Sequence, residues 1–366
     1  MALTDPSKRL EAIPPYMFAQ LERKVADKRK AGVDVISLGI GDPDMPSFPH
    51  VVEAMQRAVA DGDNQKYPSN RGREELRTAL ASFYERRFGV AIDPETEVMP
   101  AIGAKECIYN LCFAFLDPGD VALASDPGYP VYTGGPVLAG AEAVVLPLVP
   151  ELGFAPDLDA IAPEGLFERV VELAREHEIL VVHDNAYSET TFDGYVAPSF
   201  LATPGAKQVG VEVFSLSKGF NMTGWRCAAI LGNADAIATY WRLKTNVDSG
   251  LFEAVQLAGA AALDGPREPL EEMNSLYARR RDLVVDTLAE IGVEVATPQG
   301  TIYVWAPVPD GHTSTSFCEH VLEQAAVVIS PGSMYGPSGE GFFRISLTTP
   351  DERLTEALER MREHLI

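Results

Sequence analysis

Between residues 98 and 231, short apolar runs alternate with helical stretches across glycine turns, and no other feature of the chain constrains its fold as strongly. The runs lie at 98–102, 121–125, 143–148, 179–184 and 211–214 and are rich in valine, isoleucine, leucine and alanine. Gly103-Ala104-Lys105-Glu106 opens an apolar helix that reaches Leu116, and a second helix covers about 165–177. Strands interleaved with helices specify an α/β fold, a mostly parallel sheet sandwiched by helices, with its ligand crevice at the carboxyl ends of the strands. Lys105, Tyr129, Asp184 and Lys218 fall at those ends and are the first candidates for a site.

Two of these ends carry recognisable chemistry. Ser215-Leu216-Ser217-Lys218-Gly219-Phe220-Asn221-Met222-Thr223-Gly224-Trp225-Arg226 delivers a lysine among hydroxyls, with an arginine eight positions on across a turn. Such a set can hold a phosphorylated aldehyde: Lys218 through an imine, Arg226 by a planar fork on the phosphate, Ser215 and Ser217 as further donors. A bare Ser-x-Ser-Lys more often means an exposed lysine beside a structural arginine, so the rest of the chain has to support this reading. At Gly103-Ala104-Lys105 a helix starts directly after a strand, which collects free amide donors and the positive helix end at one anion-binding spot.

The flanking regions organise the remainder. A helix is expected at about 17–29, as an arm, followed by a short strand at 33–38 and the turn Gly39-Ile40-Gly41-Asp42-Pro43-Asp44. Helices are expected at 50–60 and 74–87, with a loop at 66–72 between them. Long helical stretches follow at 234–263 and 269–291, the second with the length of an interdomain connector. Short strands near 303–305, 327–330 and 342–347 then read as a smaller α+β domain. The expected division is 1–44 for the arm and part of the small domain, 45–265 for the large domain, and 266–366 for the connector and the small domain.

Composition excludes several partners. The formal charge is −23, so a nucleic-acid backbone would be repelled by the surface as a whole. No basic-then-apolar leader and no run of about 18 apolar residues appears, from which a cytoplasmic protein is expected. Four cysteines, Cys107, Cys112, Cys227 and Cys318, lack the density of a disulfide scaffold, and no clustered His or Cys suggests a metal. Cys107 and Cys112 are expected to be buried thiols on their helix.

The ordered motifs resemble the class I aminotransferases of pyridoxal-phosphate fold type I over nearly the whole chain. They are Tyr16, Gly39 to Asp44, Tyr67-Pro68, Gly103-Ala104-Lys105-Glu106, Asp126-Pro127-Gly128-Tyr129-Pro130-Val131-Tyr132, His183-Asp184-Asn185-Ala186-Tyr187, Ser215-Leu216-Ser217-Lys218 and Phe343-Arg344. The resemblance implies that Lys218 carries the cofactor and then moves a proton as base and acid. Asp184 would keep the pyridine nitrogen protonated, Tyr187 would donate to the phenolic oxygen, and Tyr129 would lie against the ring. Gly103, Ala104, Lys105, Ser215, Ser217 and Arg226 would surround the phosphate, with Tyr67 reaching it across a homodimer interface. Arg344 would take the substrate α-carboxylate, and Tyr16, Gly41, Lys105 and Asn246 would also touch substrate.

One departure stands out. The family carries a further strand ending in an Asn-Pro-Thr-Gly-like loop before the helix that precedes Asp184, whereas here no Asn occurs between Asn110 and Asn185. About twenty residues are missing, enough for one strand and its loop. Three readings follow: an aminotransferase acting on an amino-acid and 2-oxo-acid pair, a carbon–sulfur lyase or an aminotransferase of other specificity on the same fold, and a catalytically impaired remnant.

Overall fold

The computed structural model describes residues 4–13, 18–158 and 165–365. In chain order the described strands are β1 (Ile36–Ser37), β2 (Val98–Ala101), β3 (Val121–Asp126), β4 (Glu142–Val149), β5 (Ala155–Pro156), β6 (Val181–Asn185), β7 (Gly210–Ser215), β8 (Ala228–Gly232), β9 (Tyr303–Pro307), β10 (Val327–Val328), β11 (Ser330–Pro331) and β12 (Phe342–Ser346). The chain divides into two compact units, one of residues 1–44, 117–149 and 273–366, the other of residues 45–116 and 150–272. Residues 117–149, expected from the sequence in the large domain, group with the terminal segments in this division.

The unit of residues 45–116 and 150–272 is built on a four-stranded sheet in the order β2-β8-β7-β6. Only β6 and β7 are parallel; β7 with β8 and β8 with β2 run antiparallel. This four-stranded ladder is therefore mixed, within an α/β architecture of the expected class. The chain turns back within Leu216–Cys227, and β8 returns to pair antiparallel beside β7. Every residue of β7 and β8 is buried, as continuous apolar runs in a covered sheet require. Phe214 meets Phe83 at 5.2 Å and Tyr84 at 5.8 Å from the helix Glu74–Phe88. The stretch expected as one helix over 234–263 is two, Ala234–Val247 and Glu253–Asp264.

One charge lies in the middle of this core. Glu212 on β7 is 0% exposed, and its carboxylate accepts from Tyr84 Oη (2.7 Å), Asn185 Nδ2 (2.9 Å), Ser199 Oγ (2.9 Å) and the Phe200 amide (2.9 Å). His183 Nδ1 lies 2.8 Å from Oε2, the oxygen that also takes the Ser199 and Phe200 donors. Burial works to raise this carboxyl, but hydrogen bonding to His183 and the other donors outweighs it and holds the group below its ordinary value. Because His183 and Asn185 flank Asp184 on β6, Glu212 ties both neighbours of Asp184 to β7.

The other unit carries three small ladders. β1 pairs parallel with β10, β3 parallel with β4, and β11-β12-β9 form an antiparallel sheet. On β9 and β12 alternate residues Val304, Ala306, Phe343 and Ile345 are 0% exposed, so the residues between them form the opposite face. Arg280, on the helix Glu268–Glu290, forks onto both oxygens of Asp44 at 2.8 and 2.9 Å, reaches Asp351 at 2.6 Å, and fixes the end of the glycine turn. Among the described strands, β3 exposes Val121 and Leu123, β4 exposes Val144 and Val145, and β6, an end strand of its ladder, exposes Val182.

Candidate active site

The Lys218 stretch is shaped locally before it meets anything else. β7 ends at Ser215, whose hydroxyl accepts from the Ser217 amide at 3.2 Å and so starts the one-turn helix Leu216–Gly219. This leaves Lys218 half-buried and Ser215 and Ser217 buried at the strand end. Beyond it Asn221 (φ 50°) and Arg226 (φ 58°) adopt left-handed backbone. The Asn221 carbonyl is held by Ser47 Oγ at 2.7 Å, and Arg226 Nη1 donates to the Thr223 carbonyl at 2.7 Å. The loop is thereby fixed with the guanidinium turned towards Gly103.

Gly103 begins the helix Ala104–Phe115 with φ 86°, and no side chain caps its first amides. A Cβ on Gly103 would overlap the Arg226 guanidinium, so glycine is required twice over, for its conformation and for space. Behind the turn, Glu106 accepts from the Ile102 amide at 3.1 Å and pairs with the buried Lys244 at 3.0 Å, while Lys244 also reaches Asp248 at 2.6 Å. Burial lifts the Glu106 carboxyl above its usual range and the Lys244 ammonium opposes the rise. Nothing in the sequence pointed to this support, because Lys244 lies in an ordinary helical stretch.

Uncapped helix amides, a guanidinium against a glycine, two buried hydroxyls and a half-buried lysine form a donor set suited to a phosphate with an aldehyde beside it. Pyridoxal phosphate fits these residues. Gly103, Ala104, Lys105, Asp184, Tyr187, Ser215, Ser217, Lys218 and Arg226 all belong to one unit. Asp184 stands on β6 opposite Val213, and Tyr187 follows that strand by two residues. Lys105 is exposed at the second position of its helix.

The residues expected to face substrate are distributed differently. Arg344 on β12 is half-buried, stacks on Tyr303 and Tyr335, and donates to the Gly39 carbonyl at 3.1 Å. Gly41 lies where any Cβ would overlap the Tyr303 hydroxyl, which gives a packing reason for this glycine beside the expected substrate contact. Tyr129 is 44% exposed and meets Tyr132 edge-on at 6.0 Å. Its turn is pinned by Asp126, which accepts from the Ser338 hydroxyl at 2.8 Å, and by the Gly128 amide donating to the Tyr335 carbonyl at 2.7 Å. Asn246 is exposed and donates to the Arg242 carbonyl at 2.8 Å, and Tyr67 is 89% exposed. Tyr16 lies outside the described residues. Cys107 is buried as expected, whereas Cys112 is half-buried.

The fold and this donor set define a pyridoxal-phosphate-dependent aminotransferase. The family model for aminotransferase class I and II matches residues 33–165 and 160–361, and the chain belongs to that family. It is 50% identical over 379 residues to an LL-diaminopimelate aminotransferase of Desulforudis audaxviator, covering 97% of each chain. To the enzyme of the same name from Moorella thermoacetica it is 48% identical over 382 residues, covering 98% of each. Among solved structures, apo-BacF from Bacillus subtilis superposes with TM-score 0.93 at 35% identity, covering 99% of this chain and 98% of that one. A double mutant of Thermus thermophilus aspartate aminotransferase does so with TM-score 0.91 at 30% identity, covering 98% and 99%.

The same comparisons bear on the absent segment. Since 97% of 366 residues is about 355, about two dozen of the 379 aligned positions are filled by the first relative alone. The family match falls in two parts, 33–165 and 160–361, which meet at 160–165.

Proposed function

We propose that this aminotransferase moves an amino group between LL-diaminopimelate and 2-oxoglutarate, as a cytoplasmic homodimer serving lysine biosynthesis. The observation that carries the substrate is identity of 50% and 48%, over nearly full length, to two proteins named for that activity. Substrate and cofactor roles are assigned as the residues suggest, with the large domain at 45–265 and the small domain within 1–44 and 266–366. Bound pyridoxal phosphate supplies the electron sink that lets an α-carbon lose its proton. Lys218 anchors it and moves the proton to and from the α-carbon, which needs an amine whose proton affinity is lowered by its surroundings. Asp184 holds a proton at the ring nitrogen and Tyr187 donates at the phenolic oxygen. Gly103, Ala104, Lys105, Ser215, Ser217 and Arg226 hold the phosphate, Tyr129 covers the ring, and Arg344 orients the substrate carboxylate. Tyr67, exposed on the single chain, is assigned to the partner subunit's phosphate. Tyr16, Gly41, Lys105 and Asn246 complete the substrate side.

The test adds pyridoxal phosphate to purified protein and follows visible absorbance as LL-diaminopimelate is titrated, with glutamate formation from 2-oxoglutarate measured alongside. Spectral change and glutamate with LL-diaminopimelate, but not with unrelated amino acids, supports the assignment. Release of pyruvate instead would favour a carbon–sulfur lyase. Borohydride reduction followed by peptide mapping should place the label on Lys218, and label on another lysine overturns its role. The positions filled only by the relatives favour a second reading for turnover, in which the chain retains the fold with diminished activity.

A further inference from the structure

We propose that Tyr303 and Tyr335 close both faces of Arg344, making it a slot that accepts planar carboxylates edge-on and discriminates against tetrahedral oxyanions. The inference rests on the assignment of Arg344 to the substrate carboxylate. The Arg344 guanidinium carbon lies 3.8 Å from the centroid of the Tyr303 ring and 4.5 Å from that of Tyr335. Both distances are well inside the range of about 6 Å over which an aromatic face attracts a cation.

The strand register explains the placement. Arg344 stands opposite Trp305, and Tyr303 opposite Ser346, so Tyr303 is the diagonal neighbour of Arg344 on the face away from the core. Trp305 backs the arrangement: it stacks on Phe342 at 5.7 Å and 21° and meets Tyr335 edge-on at 5.7 Å. Tyr335 is held separately, since its carbonyl accepts from the Gly128 amide at 2.7 Å. On the other side, a Cβ at Gly41 would overlap the Tyr303 hydroxyl, so the glycine turn leaves the room that this ring occupies.

Covering both faces of a guanidinium has a chemical consequence. Its N–H bonds lie in the plane, and one Nη2 bond is already directed to the Gly39 carbonyl at 3.1 Å. In the proposed clamp, a ligand is received at the remaining edge, in the plane between the two rings. A carboxylate is planar and meets that edge in a fork. A phosphonate or sulfonate places a third oxygen out of the plane, towards a ring face that carries negative charge density. A free arginine would also lose rotamer freedom on binding, and the clamp removes part of that loss beforehand.

The experiment compares the wild type with Tyr303→Leu, Tyr335→Leu, the two Phe variants and Arg344→Lys in the amino-acid half-reaction. The probes are an α-amino acid, its α-aminophosphonate analogue and the amine lacking any acid group. Each Leu variant should raise KM for the amino acid by roughly tenfold to thirtyfold with kcat changed less than about threefold, and should narrow the preference for carboxylate over phosphonate. Reaction of the acid-free amine should not change. The Phe variants, which keep both ring faces, should restore wild-type KM and preference. Equal losses on all three probes, or unchanged KM and preference in both Leu variants, would overturn the clamp. If Arg344→Lys leaves the dependence on the carboxylate untouched, the assignment of Arg344 itself fails. A loss in Arg344→Lys with none in the Leu variants rejects the clamp alone.

Discussion

Replacing Glu212 tests whether the hydrogen-bonded carboxylate inside the sheet holds β6, and with it Asp184. In Glu212→Ala the Tyr84 hydroxyl, the Asn185 amide, the Ser199 hydroxyl and the Phe200 backbone amide lose their acceptor, and all four residues are buried. At about 1–3 kcal/mol for each buried group left unsatisfied, the loss is at least about 4 kcal/mol, a large part of the roughly 5–15 kcal/mol that stabilises a typical domain. Glu212→Gln keeps one carbonyl oxygen able to accept two donors and turns an NH2 towards the others, so about half that loss is expected. Urea unfolding read at constant m gives the two differences, and amide exchange at Phe200 reports the site locally. The pH dependence carries a sign. The folded carboxyl is held below its ordinary value of about 4.3, so its contribution is fully present above that pH and disappears as pH falls through the lowered folded value. The gap between wild type and Glu212→Gln should be flat above about pH 5 and narrow as pH falls from there through the lowered folded value. A loss under about 1 kcal/mol in Glu212→Ala, with unchanged exchange at Phe200, would refute the reasoning.

Arg344→Lys keeps the charge and loses the fork, so steady-state kcat/KM should fall by roughly one to three decades for every amino-acid substrate, and unchanged kinetics would remove the residue from the site. Asp44→Ala leaves the buried Arg280 without its bidentate partner and should cost about 3 kcal/mol in urea unfolding, with a neutral result ruling out that anchor. Inserting the relatives' segment between Leu158 and Gly165 should raise turnover at least about a hundredfold, because a site misplaced by more than about 0.5 Å loses most of its preorganisation; equal turnover with and without the insert would contradict this. Light scattering should give the mass of two chains, and a fully active monomer would exclude the shared site assigned to Tyr67.

The sequence by itself determined the elements and the chemistry whose causes are local. The strand, glycine and helix at Val98 to Phe115 follow from periodicity and from a backbone angle only glycine adopts readily, and the helix indeed begins at Ala104 after Gly103. The lysine-bearing stretch was legible because Ser215, Ser217, Lys218 and Arg226 are near one another along the chain and their spacing is set by a single turn. What the chain order could not show is which distant segments meet. The two antiparallel ladders in the β2-β8-β7-β6 sheet depend on pairing partners that no periodicity specifies. Glu212 looked like one polar residue in an apolar strand; its role appears only when residues from 84 to 200 converge on it. Tyr303 and Tyr335 likewise carried no motif, since their significance is a distance of 3.8 and 4.5 Å to an arginine on another strand. Such contacts depend on sheet register and on side-chain packing between residues tens to hundreds of positions apart, and only the folded chain fixes both.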